Sequence, residues 1–266
     1  MGVEIKSAKE IEGVRIASQM AAETLVLVGE KLRAGMTTEE INTIVHEDTI
    51  RRGATPAPLN YKGFPKSVCT SLNDVVCHGI PGSEVLKDGD IINVDVTTLY
   101  KGFHGDTSAT FYIGTPSPEA RLVVESARRG LELGIAEVRD GARLGDIGYA
   151  IQSYVEAQGC SVVRDFVGHG IGRRFHEPPQ VKHFGKRGDG QRLKAGMIFT
   201  VEPMVNLGRY EVEIDADDKW TVRTVDGELS AQFEHTVLVT HDGYEILTQR
   251  QKPLRLSENL SAVLVV

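Results

Sequence analysis

The strongest constraint on this chain is that it repeats itself. Arg33-Ala34-Gly35 aligns with Arg139-Asp140-Gly141, Glu40-Ile41 with Asp146-Ile147, and Gly53 with Gly159, all at an offset of 106 residues. At an offset of 107, Leu86-Lys87-Asp88-Gly89-Asp90-Ile91-Ile92-Asn93-Val94-Asp95 aligns with Leu193-Lys194-Ala195-Gly196-Met197-Ile198-Phe199-Thr200-Val201-Glu202. Five of those ten positions are identical, and both segments end on an acid. His-Gly-Ile also occurs once in each half, at His78 and His169. A period of this kind has to be accommodated before any single element is assigned.

Each half reads as helix, helix, then strands. Apolar residues at helical spacing over 8–32 (Ile11, Val14, Ala17, Ala21, Leu25) and over 118–138 predict the first helix of each half. The second helices open after Gly35-Met36-Thr37 and Gly141-Ala142-Arg143. They end at Gly53 and Gly159, where glycine can adopt the left-handed cap. Strand runs follow at 90–100, 103–113, 197–206, 219–225, 230–240 and 244–248, with Asp226-Gly227 and Asp242-Gly243 as hairpin turns. The expectation is an α+β fold of two like halves, 8–113 and 118–248, facing each other across a shared centre. No linker-like stretch separates them, so residues 1–266 are expected to form one domain.

Bulk properties remove several function classes. The net charge of −7 argues against nucleic-acid binding, which needs a basic face to neutralise phosphates. No apolar run approaches the roughly 20 residues of a membrane helix, and the first residues do not read as a signal peptide. Met1-Gly2 begins like a myristoylation signal, but Lys6 stands where Ser or Thr is required. Cys69, Cys77 and Cys160 are too few and too scattered for a disulfide framework or a cysteine zinc site, so a reducing, cytoplasmic location is expected.

Carboxylates in apolar strands point to the chemistry. Asp95 ends Ile91-Ile92-Asn93-Val94-Asp95, where a charge is costly unless it is paired or bound to a cation. If Lys101-Gly102 is a two-residue turn, Tyr100 faces Phe103 and Thr97 faces Asp106. Alternation then puts Asp95 and Asp106 on one face as a diagonal pair, with β-carbons within roughly 7–8 Å. Two carboxylates that close need a shared proton or a cation. The repeat places Glu202 at the position of Asp95, and Glu234 matches Asp106. His169 adds a nitrogen ligand among glycines. Asp95, Asp106, His169, Glu202 and Glu234 therefore form a donor set suited to two divalent ions of the Mn, Fe, Co or Zn kind. The alternative is a separate salt bridge for each acid.

With these residues in place, the chain resembles the type I methionine aminopeptidases of the duplicated pita-bread fold family, in their short bacterial form. The resemblance runs from about residue 4 to 248 and is carried by Val76-Cys77-His78-Gly79-Ile80-Pro81, Phe103-His104-Gly105-Asp106-Thr107, Gly168-His169-Gly170-Ile171-Gly172 and Ser230-Ala231-Gln232-Phe233-Glu234-His235-Thr236. It implies that Asp106 and Glu234 bridge two ions, that Asp95 serves one, and that His169 and Glu202 serve the other. It implies catalytic roles for Glu202, His78 and His176, the two histidines contacting substrate, and a methionine pocket of Tyr61, Phe64, Cys69, Phe175 and Trp220. It also implies a sodium or potassium site at Asn73, Val75 and Ser230. The implied reaction is removal of the initiator methionine from nascent chains whose second residue is small. His104 and His235 are expected to pack or support, and His46, His183 and His241 to lie on the surface.

The chain departs from the pattern at Pro58, where some relatives carry a second pocket cysteine, and at Lys62, where some carry histidine. It shows neither the N-terminal zinc extension of longer type I enzymes nor the type II insertion. The mostly apolar tail 260–266 lies outside the resemblance. A proline-directed peptidase of the same fold, or a non-catalytic peptide-binding module, are the competing readings; a module would be expected to lose ligands. The chain is expected to be a monomer. Its basic loop 173–194 (Arg173, Arg174, Lys182, Lys186, Arg187, Arg192, Lys194) is a candidate contact with ribosomal RNA.

Overall fold

The computed structural model describes residues 2–254 and 256; the apolar tail 260–266 lies outside the described residues. Four helices occupy the predicted positions: α1 (Ala8–Lys31), α2 (Thr38–Arg51), α3 (Pro118–Ala136) and α4 (Leu144–Ala157). Their ends follow local chemistry. At α2 the Glu40 amide donates to Thr37 Oγ1 at 3.2 Å while the Glu40 carboxylate accepts from the Thr37 amide at 2.7 Å. Past α2 and α4, Gly53 and Gly159 take φ of 74° and 82°.

Among the described residues, the helices pack around an antiparallel sheet of nine strands. Its order is Thr55–Pro56, Ile91–Tyr100, Phe103–Tyr112, Glu234–Val239, Ile198–Val201, Gly168–Gly170, Glu177–Val181. Cys69–Leu72 pairs with Ile91–Tyr100, and Tyr244–Ile246 with Glu234–Val239. The two halves of the repeat meet where Glu234 pairs with Ser108 and His235 with Thr107. One hydrophobic core runs through both, from Leu25 and Val28 of α1 past Val94, Phe111 and Phe199 to Leu131 of α3 and Ile151 of α4. The duplicated α+β expectation therefore holds.

The first hairpin has the predicted register. Tyr100 faces Phe103, Thr97 faces Asp106 and Asp95 faces Ser108. Lys101 and Gly102 both have positive φ, 48° and 80°, as a tight two-residue turn matched to strand twist requires. Gly105 lets α1 close on this hairpin, since a β-carbon there would sit 2.2 Å from the Ser18 amide nitrogen.

Other strand predictions need correction. The run 197–206 is two strands, Ile198–Val201 and Met204–Asn206, in different sheets. Glu202 and Pro203 lie at the break, and Pro203 has no amide to continue a ladder. The run 230–240 breaks likewise at Phe233 into Ser230–Gln232 and Glu234–Val239. Of 219–225 only Val222–Thr224 is a strand, and Asp226-Gly227 does not close a hairpin. Val222–Thr224 pairs with Val212–Ile214 and Val75–Cys77, whereas Ser230–Gln232 pairs with Met204–Asn206. The Asp226 carboxylate accepts from the amides of Arg209 and Glu228, so the signal is a real turn that joins two sheets. Asp242-Gly243 does close a hairpin, with Val239 facing Tyr244.

Candidate active site

The strand order carries the five predicted ligand positions to one place. Asp95 and Asp106 come from the first hairpin, Glu234 from the neighbouring strand, Glu202 from the break after Val201, and His169 from Gly168–Gly170. Ligand atoms of Asp106, His169 and Glu234 lie within 4.8 Å of one another. His169 Nε2 is 3.7 Å from Asp106 Oδ2 and 3.6 Å from Glu202 Oε1. Its Nδ1 lies 3.0 Å from the Gly170 carbonyl, and a proton donated there leaves the Nε2 lone pair facing the carboxylates. The glycines flanking His169 are needed for close approach: β-carbons at Gly168 and Gly170 would lie 2.4 Å and 2.1 Å from the Thr200 and Pro178 carbonyl oxygens.

Four acids share this space, and Lys62 is the only Lys or Arg among the described residues lining the cavity above them. Burial pushes Asp95 up to about 6 and Glu202 up to about 8. Asp106 and Glu234 are raised well above the carboxylate range, by burial first and then by the neighbouring acids. Burial lowers His169 and His78 to about 4. Asp95 Oδ1 is buried without a hydrogen-bond partner. A site that disfavours four negative charges, offers a neutral imidazole and leaves a carboxylate oxygen orphaned fits divalent cations by its donor chemistry.

The same electrostatics set a pH signature. Above about pH 7.5 the site histidines, lowered from 6.5, are essentially neutral in both folded and unfolded chains. Glu202, with an ordinary value of 4.5, keeps its proton up to about 8 only when folded. The unfolded chain thus binds fewer protons, and metal-free stability falls as pH rises through this window. A divalent ion that replaces those protons offsets the loss. The melting temperature without metal is expected to drop from about pH 7.5 to 8.5, and the upward shift on adding Mn²⁺ to grow over the same interval. A metal-induced shift that shrinks with rising pH would count against the cluster as a cation site.

A cavity of about 290 Å³ opens over the carboxylates, and every residue assigned to the methionine pocket lines it. Phe64 meets Trp220 edge-on with centroids 5.3 Å apart, and Tyr61 packs on Phe175 at 4.8 Å. Cys69 is buried beside Asp95, its strand partner. His78 holds a left-handed backbone, φ 56°, between Phe166 and Trp220. His176 stands at the rim with its Nδ1 2.9 Å from the Tyr61 hydroxyl and its ring 4.1 Å from that of His169. Pro58 and Lys62, the two departures, line the cavity as well.

The loop bearing Phe175 and His176 is anchored from the N-terminal segment. Lys6 Nζ reaches Glu177 Oε2 at 2.5 Å, both side chains being almost wholly buried, and Glu177 Oε1 accepts from the Arg174 amide at 3.0 Å. Removing one partner strands the other charge in the interior. Lys6→Met is expected to lower unfolding stability by about 3–5 kcal/mol in urea titrations. An unchanged midpoint would mean the pair is solvated in solution.

Of the three histidines expected on the surface, two are not. His183 is fully buried rather than on the surface, and its Nε2 accepts the Glu202 amide at 3.0 Å. His46 is half-buried against Ser67 Oγ at 2.9 Å, and only His241 is exposed as expected. Around the suggested monovalent-cation site, the Asn73 carbonyl already accepts the Ser230 amide at 2.9 Å. In the basic loop, Arg173, Arg174 and Arg187 approach Glu10, Glu4 and Glu137 at 3.3, 3.8 and 3.2 Å, which offsets part of its charge. Sequence reasoning missed Cys77, Asp165, Phe166, Val167, Met204 and Gln232, which also line the cavity. Gln232 lay inside a quoted motif, two residues before Glu234; Phe166 and Met204 gave no signal apart from their distance to His169 and Glu202.

Comparison with known proteins agrees with this geometry. Residues 12–241 match the model of metallopeptidase family M24. The chain is 55% identical over 247 residues to methionine aminopeptidase A of Synechocystis sp., covering 92% of this chain and 97% of that one. The crystal structure of methionine aminopeptidase from Rickettsia prowazekii superposes with a TM-score of 0.92 at 49% identity, over 93% of this chain and all of that one. The prolidase from Pyrococcus horikoshii shares the fold with a TM-score of 0.75, at 20% identity and over 65% of its length. A fold written twice, with acids and a histidine converging between its halves, thus places the chain in metallopeptidase family M24, among the methionine aminopeptidases.

Proposed function

We propose that the chain removes the N-terminal methionine from polypeptides whose second residue is small, using two divalent ions. The observation that carries this reading is the convergence of four carboxylates and His169 beneath an aromatic pocket, with Lys62 the only Lys or Arg among the described residues lining it. Asp106 and Glu234 would hold both ions, Asp95 one of them, and His169 and Glu202 the other. When bound, the ions supply activation of water, lowering its pKa from about 15.7 towards neutrality.

The chain's own groups do the rest. Glu202, held by Thr200 Oγ1 at 2.6 Å and Gln232 Nε2 at 3.3 Å, takes the proton of the attacking water and passes it to the leaving amine. A Tyr61 hydroxyl donating to His176 Nδ1 leaves the ring proton on Nε2, free to stabilise the developing oxyanion. His78 borders the substrate beside Trp220. The identity of the ions (Co, Mn, Fe or Zn) is left open by the donor set. Docking of loop 173–194 on the ribosome belongs to the same proposal, since nascent chains emerge there.

Specificity gives the test. An unbranched, polarisable side chain suits a pocket of Tyr61, Phe64, Phe175 and Trp220 with sulfur from Cys69 and Met204. A large second residue would overpack the walls near His78, at about 1–3 kcal/mol, or roughly tenfold to over a hundredfold in rate. Met-Ala-X peptides are expected to be cut at least tenfold faster than Met-Leu-X, and X-Pro peptides hardly at all. Equal kcat/KM for Met-Ala-X and Met-Leu-X would reject the small-residue rule. Preference for X-Pro would favour the prolidase reading.

A further inference from the structure

His183 was expected on the surface, yet it has no exposure to solvent and touches the backbone of the residue proposed to move protons. The ladder of Ile198–Val201 ends where Val201 faces His235, and Pro203 cannot donate. The Glu202 amide at this break therefore needs an acceptor from outside the sheet, because a buried backbone N–H is costly to leave unpaired. His183 Nε2 supplies it at 3.0 Å. Since the amide is the donor, Nε2 carries a lone pair and the ring proton sits on Nδ1. That Nδ1 is buried with no hydrogen-bond partner. An aliphatic side chain would fill the space without that orphan, so what the position gains from histidine is the acceptor.

The backbone that carries the ring is itself firmly seated. Gly148 of α4 lies so close to the backbone on either side of His183 that a β-carbon there would fall 2.5 Å from the Phe184 carbonyl oxygen and 2.8 Å from that of Lys182. One residue further on, the Gly185 amide donates to Gln152 Oε1 of α4 at 3.0 Å. Glu202 is thereby held at every polar atom: its amide by His183, its carbonyl and Oε2 by Gln232, and its Oε1 by Thr200.

We infer that His183 is a positioning residue, which fixes the backbone of Glu202 at the strand break so that its carboxylate meets His169 and the reacting water in one orientation. The inference rests on the proposed role of Glu202. Loss of the acceptor frees the Glu202–Pro203 segment to shift, which misplaces a proton-transfer group and a ligand together while the aromatic walls of the methionine pocket, Tyr61, Phe64, Phe175 and Trp220, stay in place.

The test compares His183→Leu, which fills the space without an acceptor, with His183→Gln, whose side-chain oxygen can reach the same amide. For release of methionine from Met-Ala-X, His183→Leu is expected to lose about ten- to a hundredfold in kcat with little change in KM. It should also weaken Mn²⁺ binding measured calorimetrically on the metal-free protein. His183→Gln should recover to within about threefold on both readouts. Nitrogen-15 NMR of the wild-type ring should report the neutral tautomer protonated at Nδ1, a readout that stands even if His183→Leu fails to fold. Wild-type kcat and affinity in His183→Leu, a Gln variant no better than Leu, or a ring protonated at Nε2 would each overturn the inference. If Glu202→Gln is inactive while His183→Leu is normal, only the positioning role fails. If Glu202→Gln is fully active, the reading of the site fails first.

Discussion

Replacing Asp106 or Glu234 with alanine is expected to abolish loading of a second divalent ion and to lower methionine release about a thousandfold or more. The two carboxylates lie on adjacent strands, with ligand atoms within 4.8 Å of each other and of His169. They are the groups best placed to hold two cations together. Losing a cation removes several kcal/mol of charge stabilisation, and each 1.36 kcal/mol is tenfold in rate. Either variant should also be more stable than wild type without metal above about pH 7.5, because one member of a repelling cluster is gone. Calorimetric titration with Mn²⁺ checks the count: two tight sites remaining in either variant would mean that the bridging assignment is wrong.

Glu202→Gln is expected to retain part of the metal affinity while kcat falls about a hundred- to ten-thousandfold, the usual worth of a positioned general base or acid. The amide keeps the contact with Thr200 Oγ1 but cannot accept and return a proton. The loss should be in kcat rather than KM, since the aromatic walls of the pocket are untouched. A KM effect with kcat preserved would make Glu202 a binding group only. The same steady-state assay on His176→Ala separates its role, with a loss confined to KM removing it from oxyanion stabilisation.

The duplication made the site legible. It paired Asp95 with Glu202 at equivalent places in the two halves. A two-residue turn at Lys101-Gly102 then fixed the register that brings Asp106 onto the face of Asp95, as the pairing of Thr97 with Asp106 bears out. The helices were readable because their apolar spacing and caps are local signals. What escaped was structure that depends on distant partners. Gly168–Gly170 is a strand because it is paired between Ile198–Val201 and Glu177–Val181, the latter at the sheet edge, and the glycines and prolines of the two give no alternation to read. The breaks at Pro203 and Phe233 were hidden inside apolar runs, although they are what turn Glu202 and Glu234 towards the centre. His183 sits between exposed Lys182 and half-buried Phe184, and its burial goes with the close approach of α4 at Gly148, a contact between segments distant in sequence.

The central claim is that these carboxylates work by holding divalent cations. Protein stripped with chelator and dialysed should be titrated with Mn²⁺, and separately with Fe²⁺, Co²⁺ and Zn²⁺, while bound metal and methionine release from Met-Ala-X are followed in the same samples. The account predicts no release from the stripped protein and a return of activity that tracks occupancy of the Asp95, Asp106, His169, Glu202 and Glu234 site. Methionine release that persists in protein verified to be free of metal would contradict it.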